Sequence, residues 1–336
     1  MRKRLLVLLA VVVLTLAMAG AYASTAFQQS KASGEAAPAL PVTSANALPA
    51  GPFVLFRNTA AGQGFGQAAT VSLSEPGGER ALLGKQCDRV YAVGGLLSCL
   101  VTRNGIPTSF EADTYDADLQ QRGTWPLGGI PNRTRISPDG KLVATTAFVS
   151  GHSYASSAFS TETVISSADG SVRSNLEEYA LLSEGARLKA SDRNIWGVTF
   201  VPGRPNEFYA TASSQGNIWL VRGDIDARTL TVTASGVECP SISPDGQRIA
   251  FKKSVSGTLA GARQPAVLEL STGNVTVLNQ QRDLDDQIEW FDNGTILYGL
   301  PRDDAGQDSD IWSQSITAGA TPQLFIEHAW SPAVVR

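Results

Sequence analysis

The tetrapeptide Ser-Pro-Asp-Gly occurs twice, at residues 137–140 and 243–246, each time between two short apolar runs. Its chemistry dictates a tight turn: Pro fixes φ, Asp bonds back to the backbone, and Gly accepts positive φ. Such a turn between strand-like segments is a β-hairpin. Weaker hairpins of the same design occupy residues 89–101 ("RVYAVGGLLSCLV"), 197–211 ("GVTFVPGRPNEFYAT") and 288–299 ("IEWFDNGTILYG"). The C-terminal "HAWSPAVVR" begins the phrase once more and stops.

After each hairpin come a polar loop and a third strand, as in "NIWLVRGD" (217–224), "AVLELSTG" (266–273) and "DIWSQSITAG" (310–319). A fourth strand follows, as in "NVTVLN" (274–279). Four strands recurring at a spacing of roughly 45 residues are propeller blades. Five hairpins give five complete blades, and a sixth blade is split between the chain ends. Residues 52–84 supply three of its strands and residues 328–335 its innermost one. The pattern therefore predicts an all-β, six-bladed β-propeller closed by pairing the C-terminal strand with the N-terminal blade, which removes the open sheet edge.

The Trp-Ser-Pro and Ser-Pro-Asp-Gly phrases, each leading into an apolar strand, together with Asp-Ile-Trp at 310–312, resemble the repeat of TolB-type β-propellers over residues 51–336. The chain is similar to exported TolB-like proteins of actinobacteria. The resemblance implies the propeller fold and work with partners in the cell envelope. TolB carries an α/β domain ahead of its propeller, where this chain has only linker-like sequence.

Ahead of the repeats, three cations (Arg2, Lys3, Arg4) precede an uncharged apolar run from Leu5 to Ala23 that ends in Ala21-Tyr22-Ala23. This is an export signal, either cleaved as a signal peptide or retained as a signal anchor, since the run is long enough for both. In either case the remainder faces outward, extracellular or in the envelope, with the cations held in the cytoplasm. Residues 24–50, rich in Ala, Ser and Pro, read as a disordered linker.

The whole chain, 43% hydrophobic and 17% charged, is able to bury a large core, and a formal charge of -4 provides no basic surface for nucleic acid. Three cysteines in an exported chain invite pairing. Cys87 and Cys99 flank one hairpin and are expected to form a disulfide, leaving Cys239 unpaired and buried in the fifth blade.

Segments that enter the inner strands crowd the channel at one face, together with the loops after the second strands. That face collects Arg133, Asp192, Asn194, Glu238, Asp286 and His328, with Asp88, Asp285 and Trp196 beside them. The long loop "VSGHSYASSAFST" (149–161) adds His152, Ser153 and Tyr154. These are the candidate ligand-binding residues, and Arg133 is either a structural counter-charge or a bidentate anion ligand.

"GHSYA" (151–155) nearly matches a hydrolase nucleophile elbow, but an antiparallel strand leading into a Ser-rich loop is the wrong setting for one. "GQGFGQ" (62–67) lacks the spacing of a dinucleotide loop, and "DDAGQDSD" (303–310) lacks the glycine and closing glutamate of a calcium loop. No cofactor and no metal are expected. Trp219, Trp290, Trp312 and Trp330 read as strand aromatics of the core. The chain reads as a monomeric, non-enzymatic module that binds an envelope protein or a small ligand at one mouth. The alternative is an envelope hydrolase or lyase using the same mouth.

Overall fold

The computed structural model describes residue 4 and residues 11–25, 40–149, 160–255, 262–302 and 308–336. It contains two units. In one, residues 11–25 are helical, and no described helix is long and apolar enough to cross a membrane. The other, residues 40–59 and 66–336, holds every strand among the described residues.

Its six sheets are the six blades, and their innermost strands contact one another in a closed ring. Blade 2 runs Arg89–Val93, Leu96–Arg103, Ser109–Tyr115, Gln121–Pro126 from the axis outward. Blades 3, 4, 5 and 6 begin at the axis with Ile130–Ile136, Asn194–Phe200, Glu238–Ile242 and Glu289–Asp292. Blade 1 is the composite one: Ala329–Val335 lies innermost and pairs antiparallel with Phe53–Asn58, followed by Gln67–Ser72 and Arg80–Gln86. Within the stretch read as a linker, Val42–Ser44 adds a fifth, parallel strand along Arg80–Gln86, and Leu48 is buried. β-branched Val42 and Thr43 favour that extended pairing, so ordered structure reaches back before residue 51.

The Ser-Pro-Asp-Gly turns are built alike. The Ser137 hydroxyl donates to Asp139 at 2.6 Å and accepts from Leu142 N at 2.9 Å, while Gly140 adopts φ +72°. In the second copy Ser243 bonds Asp245 and accepts from Arg248 N at 3.0 Å, with Gly246 at φ +70°. The same construction appears at "SADG" (167–170): Ser167 donates to Asp169 at 2.6 Å and accepts from Val172 N at 2.9 Å. That turn joins the outer strands Ser160–Ser167 and Arg173–Asn175 of blade 3. The motif is thus a hairpin device in general, used at the inner hairpin twice and at an outer hairpin once.

The closing strand is fastened by more than its ladder. Blade 6 sends three side chains of residues 286–289 to the channel-facing edge of Ala329–Val335: Asp286 accepts from Ser331 N at 2.8 Å, Gln287 donates to Pro332 O at 3.2 Å, and Glu289 accepts from Val334 N at 3.3 Å. An inner strand has no partner strand toward the axis, so side chains must satisfy its edge. Asp286 also accepts from Gly299 N at 3.1 Å, and a Cβ at Gly299 would lie 2.5 Å from both Asp286 and Trp330. Only glycine fits that junction.

Cys87 and Cys99 are joined across the inner hairpin of blade 2, and Cys239 is free and buried. Large side chains pack between blades, with Tyr179 and Phe208 in one cluster and Trp290 and Tyr298 in another.

Candidate functional site

Alternate residues of an inner strand point into the channel. On blade 3 this places Arg133 and Arg135 on the axis, both reaching across to blade 6. Arg133 donates from NH1 to Asn132 O at 2.9 Å and from NH2 to the Asp285 carbonyl. Arg135 binds the Glu289 carboxylate and, at 2.5 Å, the Ile288 carbonyl. Together with Gln287 they close the waist of the channel, where a void of only about 10 Å³ remains between Arg133, Arg135, Val198 and Cys239. The channel is therefore two cups, one on each face.

The cup on the turn face has a volume of about 220 Å³ and is rimmed by Pro138, Pro202 and Pro244. Its floor is the Arg135–Glu289 pair, with the guanidinium 4.5 Å from the Tyr91 ring centroid. Burial pulls the Arg135 pKa down, but Tyr91 and Glu289 more than offset it and hold the group above its usual range.

The cup on the entry face is larger, about 480 Å³, and is walled by Arg57, Asp88, Arg89, Ile130, Asp285 and Trp330 among others. Arg89 donates from Nε to Asn132 O at 2.7 Å, and its guanidinium sits 5.6 Å from the Trp330 ring. Its NH1 is 4.0 Å from Asp286 Oδ1, an ion pair without a hydrogen bond. Burial and the neighbouring Arg133 lower the Arg89 pKa to about 10 despite Asp286 and Asp285. Asp285 is also held by Lys252, whose Nζ donates to its carbonyl at 2.9 Å. Burial raises the Asp286 pKa, and its Oδ1 has no hydrogen-bond partner among the described residues.

The residues singled out in the sequence fall into three groups. Arg133 and Asp286 are both buried behind the entry cup: Arg133 donates to the carbonyl of Asp285, which lines the cup, and Asp286 is ion-paired with Arg89, which also lines it. Glu238, also at an entry segment, is buried and accepts from Arg263 Nε at 3.2 Å, with burial pushing its pKa up.

The second group does not reach the channel cup. Asp192 locks a hairpin of blade 4, accepting from Ser214 Oγ and Gln215 N at 2.7 Å each, and these bonds hold its pKa below the usual carboxylate range. Asn194 accepts from Thr161 N at 3.0 Å beside a separate cavity of about 280 Å³ that also contains Glu177 and Arg193. His328 sits in the seam between blades 6 and 1, Nδ1 against Asp308 Oδ2 at 2.7 Å and its carbonyl accepting from Arg80 at 3.2 Å. His152, Ser153 and Tyr154, the third group, lie outside the described residues.

Sequence reasoning passed over Arg89, Arg57, Lys252 and Trp330. The signal for Arg89 was present in "RVYAV", where Arg89 and Tyr91 alternate toward the channel just as Arg133 and Arg135 do in "NRTRI". Trp330, read as a core aromatic, is half-buried and forms a wall of the entry cup.

No protein-family model and no curated protein matches this chain. Solved structures it is similar to include a putative TolB from Agrobacterium tumefaciens, at 14% identity and TM-score 0.46, covering 71% of this chain and 80% of that one. A puromycin-hydrolyzing peptidase from Mycobacterium tuberculosis aligns at 10% identity and TM-score 0.47, over 78% of this chain and 42% of that one. An oligogalacturonate lyase from Vibrio parahaemolyticus aligns at 10% identity and TM-score 0.45, over 77% and 70%. The six sheets and the composite first blade stand on strand order alone, and by that order the chain is a six-bladed β-propeller with a TolB-like propeller among the structures it resembles.

Proposed function

We propose that the propeller is a non-enzymatic binding module of the cell envelope that recognises a ligand or partner protein at the entry cup of its channel. The observation that carries this reading is the blind cup of about 480 Å³, closed at the waist by side chains that span the ring. Such concave sites on rigid scaffolds, with a few polar groups converging on them, are where small ligands and protruding peptide segments bind. The N-terminal cations followed by an apolar run support export of the domain. Binding is favoured over hydrolysis by the character of the polar groups. The cup's charged groups are guanidiniums and carboxylates, and His328 is paired with Asp308 in the seam between blades 6 and 1 rather than lining the cup.

The test blocks the rim. Ile130 is 58% exposed at the cup, so Ile130→Trp should fill the opening without touching the core. Pull-downs of the full chain from its own envelope are expected to lose, with this variant, a component that the parent retains, at unchanged melting temperature. Retention of every component by the blocked variant would remove the entry cup as the binding surface.

A further inference from the structure

Three inner-strand arginines, Arg89, Arg133 and Arg135, point toward the channel, and Arg89 is the one whose terminal nitrogens are least used. Arg135 spends both terminal nitrogens on protein groups, and so does Arg133. Arg89 spends only Nε, on Asn132 O, and among the described residues its two terminal nitrogens make no hydrogen bond. The Arg89 side chain is only 15% exposed, so its terminal nitrogens are partly dehydrated without gaining a protein acceptor. The nearest carboxylate oxygen, Asp286 Oδ1, stays at 4.0 Å because its partner oxygen Oδ2 is fixed by Ser331 N and Gly299 N. Arg89 is thus a fork of unfilled donors in the wall of the larger cup.

The surroundings restrict what fills it. Trp330 lies under one face of the Arg89 guanidinium, and Trp330, Ile130 and Pro131 give the cup an apolar side. Asp88 and Asp285 stand in the same wall; Asp88 accepts from Thr102 N at 2.7 Å, and Asp285 is ion-paired with Lys252 at 3.4 Å. With Arg57 and Arg89 set against these two carboxylates, the wall carries no net positive charge to match a second negative charge on a ligand, so a phosphate dianion is disfavoured relative to a single carboxylate.

We infer that the entry cup takes a monoanionic carboxylate, held bidentate by the terminal nitrogens of Arg89, with the ligand's apolar body against Trp330 and Ile130. The inference rests on the binding-module reading above and names the chemical class for the same cup. The carboxylate belongs either to a free small acid or to the C-terminus of a peptide segment. The lowered pKa of Arg89 agrees with a cation whose charge is incompletely matched by the protein.

The probes are N-acetylphenylalanine, its amide, inorganic phosphate, and a pentapeptide ending in phenylalanine with a free C-terminus. Each is titrated against the full chain at neutral pH, followed by tryptophan fluorescence and calorimetry. The expected result is saturable binding of the acid, at least about tenfold weaker binding of the amide, and phosphate weaker than the acid. Arg89→Gln should lose at least about tenfold in affinity for the acid, and Arg89→Lys should also lose affinity because an ammonium lacks the fork.

The acid and amide comparison uses the parent protein alone, so it decides the matter even where an Arg89 variant fails to fold. Tighter binding of the pentapeptide than of the acid assigns the carboxylate to a protein terminus; equal binding assigns it to a small acid. Equal affinity for acid and amide, tighter binding of phosphate, or no binding of any probe overturns the carboxylate assignment. If that happens while Ile130→Trp still abolishes capture of the envelope component, only the ligand class falls. If the blocked variant also retains every component, the binding-module reading falls with it.

Discussion

At the two ends of its channel this propeller places arginines of the same origin, alternate positions on inner strands, and treats them differently. At the turn end Arg135 binds Glu289 and a carbonyl of the opposite blade and stacks on Tyr91. At the entry end Arg89 stacks on Trp330 but leaves its terminal nitrogens 4.0 Å or more from a carboxylate. The electrostatics follow the bonding: Arg135 is held above its usual pKa, whereas Arg89 is lowered to about 10. A charge whose donors are all engaged within the fold serves stability, and one whose donors open into a cup is available to something else.

The largest expected effect belongs to neither arginine. Both ends depend on ring closure, so deleting residues 328–336 removes the inner strand of blade 1 and with it the edge that donates to Asp286 and Glu289 and accepts from Gln287. The truncated chain should show no cooperative thermal transition by circular dichroism. A transition like that of the full chain would show that the seam contributes little and would undo the basis of the comparison.

Next comes the turn end. Arg135→Ala strands Glu289 in a buried site and should cost about 3–5 kcal/mol in urea unfolding. Replacing both partners with Met and Leu should restore much of that loss. At the entry end, Arg89→Gln should cost less than Arg135→Ala, because Arg89 is engaged by one hydrogen bond, the Trp330 ring and a 4.0 Å ion pair with Asp286 rather than by a close hydrogen-bonded carboxylate. Equal costs for Arg135→Ala and Arg89→Gln would erase the distinction between the two ends.

The smallest effect is a control outside the channel. Bonds from Ser167 and from Ser171 hold exposed Asp169 at about 2, down from 3.8. A depressed carboxylate pKa favours the folded state above the unfolded value and loses that contribution as pH falls through the folded one. The loss therefore runs from about pH 3.8 down to about pH 2. Asp169→Asn should flatten the pH dependence of the melting temperature in that window and leave both cups unchanged. An unaltered slope would mean the turn bonds do not contribute.

The blade count, the composite first blade and the Cys87–Cys99 pairing were all legible in the residues. Each depends on short-range chemistry: hairpin residues at fixed offsets, strand periodicity, and two cysteines flanking one hairpin. Arg133, Asp286 and Glu238 were chosen for their position in entry segments, and the structure places all three in buried ion pairs or hydrogen bonds of those segments. The same reasoning put Asp192 and Asn194 at the mouth, yet their side chains are turned to Ser214, Gln215 and Thr161. Being on an entry segment fixes where a backbone lies, and local hydrogen bonds then decide where its side chain goes.

By itself the sequence determined the hairpins, their number and the need to join the chain ends. Ser, Asp and Gly bond or bend their own backbone, and an unpaired inner edge has one available partner. Only the tertiary structure decided that Arg135 meets Glu289, 154 residues away, and that Asp286 spends one oxygen on the closing strand while Arg89 is left with open donors. No spacing along a chain encodes which side chains face each other across a ring. That pairing is set by the geometry of six blades around one axis, and the same geometry decides which arginine serves the fold and which faces the cup.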